Sequence, residues 1–262
     1  MMSAIYVAEN CDRKDFVSKI MKNFKTQIDQ ANNIFIKPNI VSYEPYPTTT
    51  HPQILDTLLD HLSDREVIVG DGHAVDTGWT KNIIENSPLK PICSHHGIAL
   101  ANLYDKKMKK WKSPRGYTIK ISTLPLECDY IISLPVLKVH KQCGLSGALK
   151  NQFGYLSKLD RILMHATIKN IHKGIAEVNL AIPTDLFIVD AVETLTEAQE
   201  CRHGGCPAKL GTMLAGIDPV SLDNFGQKLL QKVDSNLEQN IEHLNYAQEY
   251  EVGKKNYTII KI

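Results

Sequence analysis

Residues Tyr130 to His140 read YIISLPVLKVH. The first five carry no charge and are mostly apolar, which is what a strand covered on both faces needs, and such strands build parallel sheets. The run then passes into Pro135 to His140. Lys138 and His140 follow, two positions apart, and in an extended segment they project to the same side. The stretch therefore predicts a buried parallel strand with an ammonium and an imidazole just past its carboxyl end.

Outward from this strand, short Val- and Ile-rich runs recur at Ile5 to Ala8, Ile34 to Ile36, Val67 to Val69 and Ile98 to Leu103. Others are Tyr117 to Ile121, Leu186 to Val189, Thr212 to Ala215 and Tyr257 to Ile260. Between them lie segments with helical spacing: Asp12 to Ile28, Pro52 to Leu62, Thr167 to Ile182, Val220 to Val233 and Leu237 to Tyr250. Strands alternating with helices predict an α/β fold, a mostly parallel central sheet with helices on both faces. The length of 262 residues suits a single α/β domain over 1–262. Residues 87–122, rich in Pro, Lys and Gly, are expected to form a small irregular insertion or covering piece.

Bulk composition removes several functions. Thirty Lys and Arg balance 29 Asp and Glu, leaving a charge of +1, so the basic excess of a nucleic-acid binder is missing. The one basic run, Lys106 to Lys112, reads as a solvated loop or helix face. No apolar stretch is long enough to span a bilayer, and Met1 to Asn10 lacks the pattern of a signal peptide. Six cysteines are scattered without a C-x-x-C pair, as in reduced cytosolic proteins. The expectation is a cytoplasmic protein with no nucleic-acid and no membrane partner.

Open parallel sheets bind ligands beyond the carboxyl ends of their strands. Ile34 to Ile36 runs into Lys37-Pro38-Asn39, and Val67 to Val69 into Gly70-Asp71-Gly72-His73. Leu186 to Val189 ends at Asp190, and Thr212 to Ala215 leads to Asp218-Pro219. If these strands share one direction, their charged tips converge with Lys138 and His140. Asp218 and Asp71 also have plain structural readings, as a helix cap before proline and as a turn former. Lys37 and Lys138 do not, because a lysine beside a buried strand needs a partner, either a carboxylate or an anionic ligand. Gly144 to Asn151 (GLSGALKN) could offer backbone N–H groups to an anion, with Lys150 and Asn151 beside it. Thr48 to Pro52 reads as a helix entry capped by Thr50 or His51, from which His51 could reach a site.

Cys201, His203 and Cys206 share one loop (CRHGGC), but no second pair of ligands completes a zinc or iron–sulfur set. A metal site drawn from His51, His73, His140 and the rim aspartates is the other metal reading. No motif specifies a cofactor.

Taken in order, Lys37-Pro38-Asn39, Thr50-His51-Pro52, Pro135 to His140, Leu149 to Gly154, Asp190 and Asp218 to Asp223 resemble the family catalogued as domain of unknown function 362. Members of that family are often joined to a ferredoxin-like domain with clustered cysteines, which implies redox chemistry or a redox partner. This chain has no C-x-x-C-x-x-C run, so electrons would have to come from a partner or a bound cofactor.

The function expected from these readings is an enzyme that binds a small anionic molecule, a carboxylate or phosphate, and carries out a redox or proton-transfer step. Lys37, Lys138 and Lys150 would hold the charge, while Asn39 and Asn151 orient it. His140 would act as general acid or base, tuned by Asp71, Asp190 or His51, with Asp218 at the same rim. The alternatives are metal- or iron–sulfur-dependent chemistry, and a non-enzymatic binding or assembly partner for a ferredoxin-type protein.

Overall fold

Twelve strands appear in the computed structural model, which describes residues 2–77 and 82–262. They are β1 (Ser3–Glu9), β2 (Asn33–Pro38), β3 (Glu66–Asp71), β4 (Leu100–Asn102), β5 (Met108–Lys112), β6 (Thr118–Ser122), β7 (Tyr130–Leu134), β8 (Lys138–His140), β9 (Gly144–Ser146), β10 (Leu186–Thr196), β11 (Cys206–Gly216) and β12 (Tyr257–Lys261). Eight of these form one sheet in the order β12-β1-β11-β10-β7-β2-β3-β4. Every neighbouring pair is parallel except the two made by β11, which runs against both β1 and β10. The mostly parallel α/β sheet is thus present, with one reversed strand inside it.

Period-two alternation splits the core between the two faces. On β2, Ile34 and Ile36 pack with the helices Arg13–Asn23 and Pro52–His61, whereas Phe35 joins the opposite core. That opposite core is closed by the helices Ile171–Ala181, Pro219–Leu230 and Glu242–Glu249. Caps set the helix starts. Asp12 accepts from Asp15 N, Ser157 from Asp160 N in the helix Lys158–His165, and Asn170 from Lys173 N. His51 Nδ1 accepts from Gln53 N, with Pro52 at the first helical position.

Two expectations are corrected. The irregular insertion is smaller than 87–122, because Leu100–Asn102 is the edge strand of the main sheet. The basic run is neither loop nor helix. It supplies β5, paired antiparallel with β6 across a turn in which Gly116 takes φ +82. Alternation explains this: Trp111 packs against the core with Ile119 and Ile121, and the lysines between stay exposed.

The reversed strand decides where the charged tips go. β2, β3, β7 and β10 end at one rim, but β11 ends at the other. Asp218 therefore stands at the opposite edge, where it accepts from Val220 N (2.9 Å), Ser221 N (3.0 Å), Lys254 N (2.9 Å) and Ser3 Oγ (2.6 Å). It caps the helix Pro219–Leu230 and takes no part in the rim.

Candidate functional site

Beyond the shared carboxyl ends lies a cavity of about 310 Å³. This is the lower end of the size range for small-molecule sites. Of the residues singled out in the sequence, Lys37, Asn39, Asp71, Lys138, His140, Lys150 and Asn151 line it. His51, Asp190 and Asp218 do not.

Lys37 and Asp71 meet at its floor. Their 2.5 Å ion pair is nearly inaccessible to solvent. Asp71 also accepts from Ile40 N and Gly72 N, both at 2.6 Å, and Lys37 donates to Pro38 O at 2.9 Å. Burial pushes the lysine down and the carboxylate up, so desolvation works against their attraction. The closeness of Gly154 explains its place in the Leu149 to Gly154 motif. A Cβ there would lie 2.1 Å from Asp71 Oδ1 and 2.8 Å from Lys37 Nζ.

Lys138 is 1% exposed and donates to Thr48 O. Burial lowers its pKa to about 7, with Lys150 adding to the shift and Glu200 and Glu44 opposing it. Lys150 is half-buried, with its ammonium 4.7 Å from the centre of the Phe153 ring. Arg161 is buried and donates from Nη1 to Gly72 O (2.7 Å) and to the Tyr104 hydroxyl, while its Nε has no partner. Among the described residues, no carboxylate lies within ion-pairing distance of Lys138, Lys150 or Arg161. The carboxylates at the mouth are already paired: Arg202 holds both Asp76 (2.9 Å) and Glu200 (2.6 Å). The cavity thus presents Lys138, Lys150 and Arg161 without an ion pair among the described residues.

The histidines come as complementary tautomers. His140 Nδ1 accepts from Gln142 N and Cys143 N, both at 3.2 Å, so its proton sits on Nε2. Burial holds its pKa well below the usual range, and the ring is a neutral donor. His165, at the mouth, places Nδ1 2.8 Å from Gln142 Oε1, which can only accept, so its Nε2 keeps a lone pair. His165 is exposed, and partial desolvation with the neighbouring charges of Lys150 and Arg161 lowers it to about 4. One cavity therefore holds a neutral N–H donor and a neutral N acceptor, linked through Gln142. Asn39 and Asn151 each leave a buried Oδ1 unpartnered, and Asn151 Nδ2 is fixed by Ser133 Oγ and Lys37 O.

Three readings of individual residues change. Asp190 follows Ile188 on the other face of the sheet, where Arg13 (2.7 Å) and the Tyr46 hydroxyl (2.9 Å) hold it. His51 is the helix cap, edge-on to Tyr46. The backbone N–H groups at Gly147 to Leu149 do not wait for a ligand: Asp223 accepts from Ala148 N (2.6 Å) and Leu149 N (2.9 Å). That contact explains the second Asp of the Asp218 to Asp223 motif, which orients the segment bearing Lys150 and Asn151.

A metal set of His51, His73 and His140 is not assembled. Among the described residues, the one group with ligand spacing is Asp76, Glu200 and His203, and Cys201 and Cys206 are outside it. Its two carboxylates are bonded to Arg202, and His203 Nε2 lies 2.8 Å from Asp76. Sequence reasoning missed Arg161, His165, Phe153 and Glu200. For Arg161 the signal was an inverted helix: in Lys158–His165, Asp160 and Arg161 are buried while Leu159 and Ile162 face solvent.

The fold and cavity define an α/β protein with a cavity lined by lysine, arginine and histidine at the carboxyl rim of its mostly parallel sheet. The chain belongs to the family described as domain of unknown function (DUF362), whose model matches residues 34–228. It is 22% identical over 219 residues to the thylakoid-associated protein sll1697 of Synechocystis, covering 80% of this chain and 66% of that one. Its fold is similar to that of the lactate racemase apoprotein from Thermoanaerobacterium thermosaccharolyticum, with a TM-score of 0.52 and 11% identity over 98% of this chain and 82% of that one. A Thermotoga maritima protein aligns at a TM-score of 0.45 and 14% identity, covering 90% of this chain and 58% of that one. Among the described residues, no helix is long and apolar enough to cross a membrane.

Proposed function

We propose that this chain is an enzyme that binds a small carboxylate or phosphate anion and moves a proton on it. The observation that carries the reading is the cluster of Lys138, Lys150 and Arg161, which line one cavity without a carboxylate partner. Uncompensated buried cations are expensive, and an anionic ligand that displaces water from them recovers that cost. Lys150 and Arg161 would hold the anion, and the Nε2–H of His140 would polarise a carbonyl or hydroxyl oxygen. His165 Nε2 would accept the proton. A small carboxylate is also the substrate class in the name of the lactate racemase whose fold this chain shares.

Calorimetric titration with lactate and with inorganic phosphate tests the reading. Replacing Lys150 by Met should weaken binding of the preferred anion by about tenfold or more, the worth of one charge-assisted contact. Arg161→Met should do the same. Unchanged affinity in both folded variants would remove the anion from this cavity.

A further inference from the structure

Among the described residues, four lysines line the cavity, and their surroundings differ. Lys37 is neutralised by Asp71 at 2.5 Å. Lys141 is exposed and donates to His203 O at 2.8 Å. Lys150 is half-buried over Phe153. Lys138 alone is both buried and without a carboxylate, and its one hydrogen bond goes to the Thr48 carbonyl. A carbonyl can accept from a neutral amine as well as from an ammonium, so this bond remains available after the proton is lost.

An ion-binding lysine and a nucleophilic lysine need opposite surroundings. The first needs to keep its proton. The second needs to lose it, which desolvation and a neighbouring cation achieve together. For Lys138 enclosure dominates: burial and Lys150 favour the free amine and outweigh Glu200 and Glu44, which favour the ammonium but lie beyond ion-pairing distance. Burial and Arg161 lower Lys150 as well, but its side chain is only half-buried, and with Arg161 it is left to hold a carboxylate.

We propose that Lys138 captures the carbonyl carbon of a small oxo acid as a Schiff base, with the acid's carboxylate held by Lys150 and Arg161. This rests on the anion-binding reading above and names the substrate class for it. The Lys138 Nζ lone pair adds to the carbonyl carbon, and the carbonyl oxygen, hydrogen-bonded by His140 Nε2–H, takes up the proton lost from nitrogen. The resulting carbinolamine passes its remaining N–H proton to that oxygen, which leaves as water while the nitrogen lone pair forms C=N in place of C=O. No electrons are exchanged and no co-reactant is needed.

The experiment is reductive trapping of the intact chain with pyruvate or glyoxylate and cyanoborohydride, read by intact mass and peptide mapping. The expected result is one reduced adduct per chain, at Lys138. Its rate should rise with pH through about 7 as the free amine appears. Lactate, which has the carboxylate but no carbonyl, should slow the trapping, and Lys138→Arg should abolish it. Because mapping uses the unmodified chain, a misfolded variant would not blunt the test. Label spread over exposed lysines such as Lys109 and Lys110, with Lys138 untouched, would overturn the proposal. If calorimetry still detects pyruvate or lactate in that case, the covalent step fails and the anion site stands. If neither acid nor phosphate binds, the anion reading fails with it.

Discussion

Lys138 stores a stability deficit that can be measured. Moving its titration from 10.5 to about 7 costs on the order of 5 kcal/mol, at about 1.4 kcal/mol for each pH unit. A base with a lowered folded pKa leaves the unfolded chain holding a proton that the native state lacks. Between pH about 7 and about 10, stability should therefore rise with pH. Lys138→Met removes this dependence and keeps a flexible apolar side chain in the space. It forfeits one bond to the Thr48 carbonyl, worth about 1 kcal/mol. The variant should be more stable than the parent by a few kcal/mol at pH 6 to 7, and the gap should close toward pH 10. Urea unfolding at three pH values measures it. A variant less stable at neutral pH, or a difference independent of pH, would mean that Lys138 is a satisfied cation in the free protein, and the reasoning would be wrong.

Two further outcomes separate floor from rim. Gly154→Ala would press its methyl against the Lys37–Asp71 pair, which three donors to the carboxylate hold in place; a loss of about 2–4 kcal/mol in urea unfolding is expected, and no loss would show that the floor relaxes freely. Asp218→Ala should cost about 1–2 kcal/mol through its lost helix cap yet leave anion titrations unchanged, whereas weakened binding would place it back at the site.

The strand-end lysines show what a single chain reveals. Lys37 and Lys138 were legible because each follows a buried apolar run, and the cost of burying an ammonium is a local fact. The side-by-side placement of Lys138 and His140 needed only period two, and both line the cavity. Asp218 was misplaced for a reason just as definite. Its preceding run, Thr212 to Ala215, is equally compatible with either strand direction, and β11 is the strand that runs backwards. Asp190 was lost by parity: it sits one face away from Lys37 and meets Arg13 instead. Arg161 and His165 were hidden because a helix that buries its arginine and exposes its leucine inverts the pattern used to read helices.

By itself the chain determined the elements, the α/β class and the presence of lysines that could not remain unpartnered. These follow from side-chain period, proline and glycine punctuation, and the energy of desolvating charge. Only the tertiary structure decided which partner each charge received. Asp71 went to Lys37, Asp223 to the Ala148 backbone and Asp190 to Arg13, leaving Lys138, Lys150 and Arg161 without a carboxylate among the described residues. Pairing depends on strand direction and on which face a residue takes, and contacts between segments a hundred residues apart set both.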